Sequence, residues 1–304
     1  MSATSQATLL RPEPGAGTLK ITRWGGHRLA ALRCGEDRAG ERIGESWELS
    51  TLPGRVSRAR GRSLDEHLDG PLPFLAKLID TALPLSVQVH PDDREGAPGK
   101  EEAWMILDAE PGAQLWAGLA DGVTQEKLLE AAARARANGA HEESLFALLQ
   151  AHAALPGTII VVPAGTVHAI GGGVLLAEIQ QPSDCTYRIY DYSSGRQLHI
   201  DEASKTIRAD AQPVLWRPGD PPRRLRAKHL DLQVLLAGEH RLEDDLTPRL
   251  VAVIRGNARI AGELLTTGEL GLLLPSAGGL GIDLSVDPVE LADPGGIVLV
   301  GRCS

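Results

Sequence analysis

The residues predict a mainly β chain with two helical insertions, and three observations carry that reading. Short aliphatic or β-branched runs, PLSVQVHP, AWMILDAEPGAQLWAGL, GTIIVVPAGTVHAI and GGVLLAEIQQPS, are punctuated by Gly and Pro, as the antiparallel strands of a sandwich or barrel are. Of 304 residues 42% are apolar but only 3% aromatic, so a sizeable core must rest on Leu, Val, Ile and Ala. Two stretches break the strand rhythm: SLDEHLDGPLPFLAKLIDTA (63–82) and VTQEKLLEAAARARANGAHEESLFALLQAHAAL (123–155) space leucines for helices, the second divided near Gly139.

A second β-rich region follows the Pro-rich piece at 212–222. It repeats the earlier order of strand, turn, strand and Gly-led apolar strand in LVAVIRGNARIAGELLTTGELGLLLPSAGGLGIDL. Where the first copy continues into His168, the second has Gly278 and Gly279. The expected division is therefore a catalytic unit over 1–211 and a degenerate second unit, without metal ligands, over 212–304.

A formal charge of −9 argues against non-specific binding to nucleic acid or to anionic membranes. The one basic cluster, RPGDPPRRLRAKHL (217–230), reads as a solvated linker. Cys34, Cys185 and Cys303 are odd in number and share no short spacing, so neither a disulfide framework nor a thiolate metal site is expected. That usage fits a reducing cytoplasm, as does the lack of a leader pattern or of a long uncharged apolar run.

The chemistry concentrates in PLSVQVHPDD (84–93). On a strand, Ser86, Gln88 and His90 project to one side and Leu85, Val87 and Val89 to the other. GTIIVVPAGTVH contributes the pattern G-x5-P-x-G-x-x-H ending at His168, which resembles the second motif of the cupin superfamily and implies a double-stranded β-helix of jelly-roll type. In GKEEAW, strand parity puts Lys100, Glu102 and Trp104 on one face and Glu101 on the other, which favours Glu102 as a third or fourth ligand. Gln88, His90, Glu102 and His168 then form a nitrogen and oxygen set without thiolate, suited to Zn2+ or another first-row divalent ion.

Together, PFLAKLIDTALPLSVQVHPDD, GKEEAW, VPAGTVHAI, LLAEIQQPSDCTYRIYDY and GRQLHIDEASKTI resemble the type I mannose-6-phosphate isomerases of short bacterial form. ITRWGGHRLA and IGESWELS resemble that family's N-terminal features, so the likeness runs in order from 20 to 207 and fades into a weak second cupin. It implies two cupin-type jelly-roll domains with helical insertions. It also implies one Zn2+ on Gln88, His90, Glu102 and His168, active-site positions at Lys100, Glu178 and Arg188, and a phosphate-facing serine at Ser86.

The activity so implied is interconversion of mannose 6-phosphate and fructose 6-phosphate through a cis-enediol, with Glu178 as first choice of base. Lys100 and Arg188 would offset negative charge on enediolate or phosphate. Two other readings are a cupin-type glucose-6-phosphate isomerase and a non-catalytic, metal-containing sugar-binding cupin. The sugar phosphate is the expected partner, with no nucleic acid or membrane, in a monomer or homodimer. Gln180 alternates with Glu178 and could share its cavity; Tyr187 and Tyr190 read as packing. His141, His152 and His199 read as isolated, and Cys185 lacks a partner histidine. Only two residues separate YDY from GRQLHIDEA, a departure that would reshape one pocket wall.

Overall fold

The strand Leu75–Thr81, LAKLIDT, is buried at every position. Alternate side chains leave it in opposite directions, Ala76 and Leu78 into one apolar cluster and Ile79 into another. A sheet covered on both faces reads as a continuous apolar run, and this strand lies deep within such a sheet. The computed structural model describes residues 7–15, 18–34, 38, 40–138, 142–242, 247–274, 282–286 and 296–303.

Seven strands make the central sheet, in the order Val214–Trp216, Ile159–Val162, Glu102–Ala109, Val174–Gln180, Leu75–Thr81, Leu19–Gly26 and Ile43–Leu49. Facing it is a five-stranded sheet ordered Leu149–Ala153, Gln114–Leu119, His168–Ile170, Val87–Val89 and Tyr187–Tyr190. Trp104, Ile106 and Leu176 of the first meet Leu115, Ala117 and Ile170 of the second, forming the inner core of a jelly-roll sandwich. The outer face of the five-stranded sheet, through Val87, Val89 and Ala169, packs on the helices Gln125–Asn138 and Glu142–Phe146.

On its other face the central sheet presents Met105, Ala177 and Ile179 to Leu232, Leu250 and Leu299 of a six-stranded C-terminal sheet. That sheet in turn covers a four-stranded one through Val251 and Val253 against Ala258, Leu265 and Leu284. The molecule is thus mainly β, with helices over one flank and a second sandwich over the other. Two strands cross the division expected at 211: Thr8–Leu10 pairs with Leu270–Leu274 of the C-terminal sheet, and Val214–Trp216 closes the edge of the N-terminal one.

The helix expected over 63–82 is absent. Leu64–His67 is one turn of 3-10 helix and Leu75–Thr81 is the strand just described, because Gly70, Pro71 and Pro73 interrupt any helix between them. The leucine spacing there mimicked a helix because both faces of the strand are apolar. Within 123–155, two helices form, but Leu149–Ala153 is a strand paired with Gln114–Leu119. Gly139, His141, Gly278 and Gly279 lie outside the described residues. The basic segment 217–230 is not a free linker: Arg224–Arg226 pairs with the strand Leu230–Leu236, with Leu225 buried between exposed arginines. Its charge is met by Asp231, which bridges Arg224, Arg226 and Arg302.

The WGG of residues 24–26 is a packing device. A Cβ on Gly26 would lie 2.2 Å from Asp80 Oδ2, and Asp80 is fully buried, accepting hydrogen bonds from Arg28 N and Nε at 2.7 Å each. Gly26→Ala is therefore expected to destabilise the fold by about 1–3 kcal/mol in chemical denaturation. Gly70→Ala, where an added Cβ meets nothing within 4 Å, is the control and should change little.

Candidate active site

Alternation on the facing sheets brings polar side chains into the inner core. On Val87–Val89 the valines point out toward the helices, so Ser86, Gln88 and His90 point inward. On Glu102–Ala109, Ala103 and Met105 point out to the C-terminal sheet, and Glu102 and Trp104 point in. His168 opens the strand His168–Ile170 directly opposite Gln88. The turn before it needs Gly165 at φ +86°, and Gly165 N donates to His90 O at 2.9 Å, tying the two histidine segments together.

His90, Glu102 and His168 converge, each at most 1% exposed. His90 Nε2 lies 3.3 Å from Glu102 Oε2 and His168 Nε2 lies 3.4 Å from Glu102 Oε1. Lys100 Nζ is 2.9 Å from His90 Nε2 and in contact with Glu102 Oε2. Gln88 Nε2 is 3.2 Å from His168 Nε2, while Ser86 Oγ donates to Gln88 Oε1 at 3.0 Å. Trp104 Nε1 donates both to Glu102 Oε1, at 3.1 Å, and to Glu178 Oε2, at 3.2 Å.

The electrostatics separate the two carboxyl groups. Burial pushes Glu102 up, but the Lys100 ammonium beside it holds it well below the usual carboxylate range. Glu178 is raised, by burial first and by the Glu102 charge, against the pull of Lys100 and Lys77. Burial, then Lys100, lowers His90 to about 3, and burial also lowers His168, so both imidazoles are neutral near pH 7. Arg188 is lowered by burial and by the facing charge of Arg196. Its buried Nε has no hydrogen-bond partner among the described residues.

A cleft of about 260 Å³ opens over this group, lined among others by Lys20, Glu45, Lys77, Ser86, Gln88, Lys100, Glu178, Arg188 and Arg196. An adjoining hollow of about 440 Å³ shares Thr22, Trp24 and Arg196 but holds none of the expected ligands. Every expected site residue therefore reaches the cleft or the ligand group behind it. Gln180 does not: its amide donates to the carbonyls of Gln181, at 3.0 Å, and Ser183. Cys185 contributes only its carbonyl, 3.0 Å from His90 Nδ1. His199 is a support, its Nδ1 accepting from Arg188 N at 3.3 Å.

Sequence reasoning missed Lys77, which lies 3.5 Å from Glu178 Oε1 and 3.9 Å from Glu45 Oε2. Burial would lower its pKa, but Glu45 and Glu178 raise it. The signal was a lone lysine in an apolar run, FLAKLI, which is rarely buried without a partner. It was obscured by the helical reading of 63–82.

The donor set fits a divalent ion. Nδ1 of His90 faces Cys185 O and Nδ1 of His168 faces Thr166 O, at 3.0 and 2.9 Å, so each Nδ1 carries the proton and each Nε2 offers a lone pair. Two lone pairs and a carboxylate converging on one point suit a divalent cation beside the Lys100 ammonium, which contacts His90 Nε2 and Glu102 Oε2. The two ends of the Gln88 amide are isosteric, and turning it presents oxygen to the same point. The other convergent group among the described residues, Asp92, Asp93 and His229, is more exposed and already salt-bridged by Lys228.

No protein-family profile matches the chain. Among known proteins, mannose-6-phosphate isomerase of Streptococcus mutans is 31% identical over 277 residues, covering 78% of this chain and 83% of that protein. Mannose-6-phosphate isomerase ManA of Bacillus subtilis is 35% identical over 218 residues, 62% of this chain and 66% of that one. The crystal structure of a Bacillus subtilis mannose 6-phosphate isomerase superposes with a TM-score of 0.70 at 25% identity, covering 98% of this chain and 99% of the other. With the likeness to the Streptococcus mutans enzyme spanning most of both chains, and a fold that agrees end to end, this chain belongs to the type I mannose-6-phosphate isomerase family.

Proposed function

We propose that the chain is a metal-dependent aldose–ketose isomerase that interconverts mannose 6-phosphate and fructose 6-phosphate in the cytoplasm, with Zn2+ held by Gln88, His90, Glu102 and His168. The observation that carries this reading is the indole of Trp104, which links the Glu102 carboxylate to a second carboxyl group, Glu178, raised in pKa and open to the cleft. Two carboxyl groups whose surroundings drive their pKa values apart divide naturally into ligand and proton carrier. A protein that merely held sugar would have no use for the second.

When bound, the metal supplies Lewis-acid stabilisation of the oxyanion charge that develops on substrate oxygens. Glu178 removes the proton from C2 of the open-chain aldose. The C–H electron pair becomes the C1–C2 double bond, and the aldehyde oxygen takes the negative charge, giving a cis-enediolate. A proton passes from O2 to O1, Glu178 returns its proton to C1, and C2 becomes the carbonyl of the ketose. Lys77, at 3.5 Å, steadies Glu178 in its ionised state, and Lys100 offsets charge on the enediolate.

Arg188 and Ser86 serve the phosphate. The half-buried Arg188 has a buried Nε without a partner among the described residues, and a phosphate accepts the planar fork of a guanidinium. Were the Gln88 amide turned so that its oxygen joined the ligand set, its nitrogen would donate to Ser86 Oγ and leave that hydroxyl's proton for the substrate. No helix among the described residues is long and apolar enough to cross a membrane.

A coupled assay of metal-analysed protein should show turnover of mannose 6-phosphate, lost on chelation and in His168→Ala, and little of glucose 6-phosphate. Metal bound near one equivalent with neither sugar phosphate turned over would sink the isomerase reading in favour of a sugar-binding protein. Glu178→Gln should lower kcat by about 10²- to 10⁴-fold with metal content retained. Arg188→Ala should act mainly by raising KM for the phosphorylated sugar.

A further inference from the structure

Glu101 stands between Lys100 and Glu102, and its side chain turns the opposite way, out of the sandwich and into the C-terminal half. It is only 1% exposed. Oε1 accepts hydrogen bonds from the backbone N–H of His229 and of Leu230, both at 2.8 Å, and Oε2 accepts from Lys228 N at 3.2 Å. The main chain of Glu101 is pinned as well: its N–H donates to Gln181 Oε1 at 2.9 Å and its carbonyl accepts from Gln181 N at 3.0 Å.

Two of these three C-terminal residues also grip the other end of the loop. Lys228 Nζ lies 2.7 Å from Asp92 Oδ1, and His229 Nε2 lies 3.0 Å from Asp93 Oδ2. The loop so held, 91–101, is the connection between His90 and Glu102. Leu230 then opens the strand Leu230–Leu236, a buried member of the six-stranded sheet. The six-stranded sheet thus anchors a clamp on the segment that spaces two converging side chains of the ligand group.

We propose that Glu101 is a positioning residue, and that through it the C-terminal half, whose described residues add nothing to the His90, Glu102 and His168 group, holds His90, Lys100 and Glu102 in register for metal retention. The inference rests on the reading that Gln88, His90, Glu102 and His168 bind a metal. Hydrogen bonds to an ionised carboxylate are the stronger kind, and several donors converge on this one. Partners that orient metal ligands from outside typically change metal affinity by about 10- to 100-fold when removed.

The test is competition for Zn2+ between the full-length protein and a chromophoric chelator, for wild type, Glu101→Gln, Glu101→Ala and the surface pair Asp92→Asn with Lys228→Met. Melting of the metal-free proteins and kcat and KM at limiting and excess Zn2+ are measured alongside. Glu101→Ala should bind Zn2+ about 10- to 100-fold more weakly. Glu101→Gln, which keeps one acceptor oxygen, should fall between it and wild type, and the surface pair should weaken binding to a smaller extent. The lost kcat should return with excess Zn2+ while KM is unchanged. Equal Zn2+ affinity in all variants, with only the metal-free melting temperature lowered, would overturn the proposal. Should Glu101→Ala fail to fold, Glu101→Gln and the surface pair decide it in the same way. A wild type that takes up no Zn2+ would instead overturn the metal-site reading beneath it.

Discussion

An ionised carboxylate in the middle of an apolar sandwich sets the terms for everything around it. Glu102 is 1% exposed, and burial alone would drive it to its neutral form. It stays charged because the Lys100 ammonium faces it, and because an indole N–H caps one oxygen. Removing one partner from such a buried set leaves an uncompensated charge, which generally costs about 3–5 kcal/mol. The residues that tune the chemistry are thus also those that make the interior tolerable.

A second charged group, Lys77 with Glu45 and Glu178, repeats the arrangement a strand away. Burial alone would raise Glu45, but Lys77 and Lys20 hold it down to about 2, and its Oε2 accepts from Trp47 Nε1 at 2.7 Å. Lys77 thereby has one carboxylate that stays ionised and another, Glu178, whose pKa is raised. The two groups meet at Trp104, the large, fully buried side chain common to both. Placing that indole on the same strand face as Glu102 is a consequence of strand parity alone.

Layering explains why such polar groups can sit in a central sheet. One face of the seven-stranded sheet is apolar apart from Asp80 beside Arg28, and it packs largely on the C-terminal sheet, which excludes water from the strands behind the site. The other face is divided between apolar side chains deep in the sandwich and charged ones toward the cleft. The bend leading into the covering sheet and the first residue of its strand Leu230–Leu236 supply the backbone donors that Glu101 uses.

Much of the site was legible in one dimension because side-chain parity is a local property. Gln88 with His90, and Lys100 with Glu102 and Trp104, could be assigned to common faces from spacing alone, and the turn ending at His168 follows from Pro163 and Gly165. Local information failed where both faces of a strand are buried. Leu75–Thr81 carries apolar residues on both faces and so resembled a helix, which hid Lys77. It failed again at 224–226, where arginines suggested a solvated linker although the alternate leucine marks an edge strand.

The sequence by itself determined the β class, the face on which each candidate ligand lies and the chemical type of the donor set. These depend on the two-residue period of a strand and on the functional groups carried. The tertiary structure alone decided which faces meet: that Glu178 shares an indole with Glu102, that Lys77 stands between two carboxyl groups, and that Glu101 reaches residues 228–230. Those contacts join residues far apart along the chain. Only the packing of one sheet on another sets their distances, and with them the opposite pKa shifts of Glu102 and Glu178.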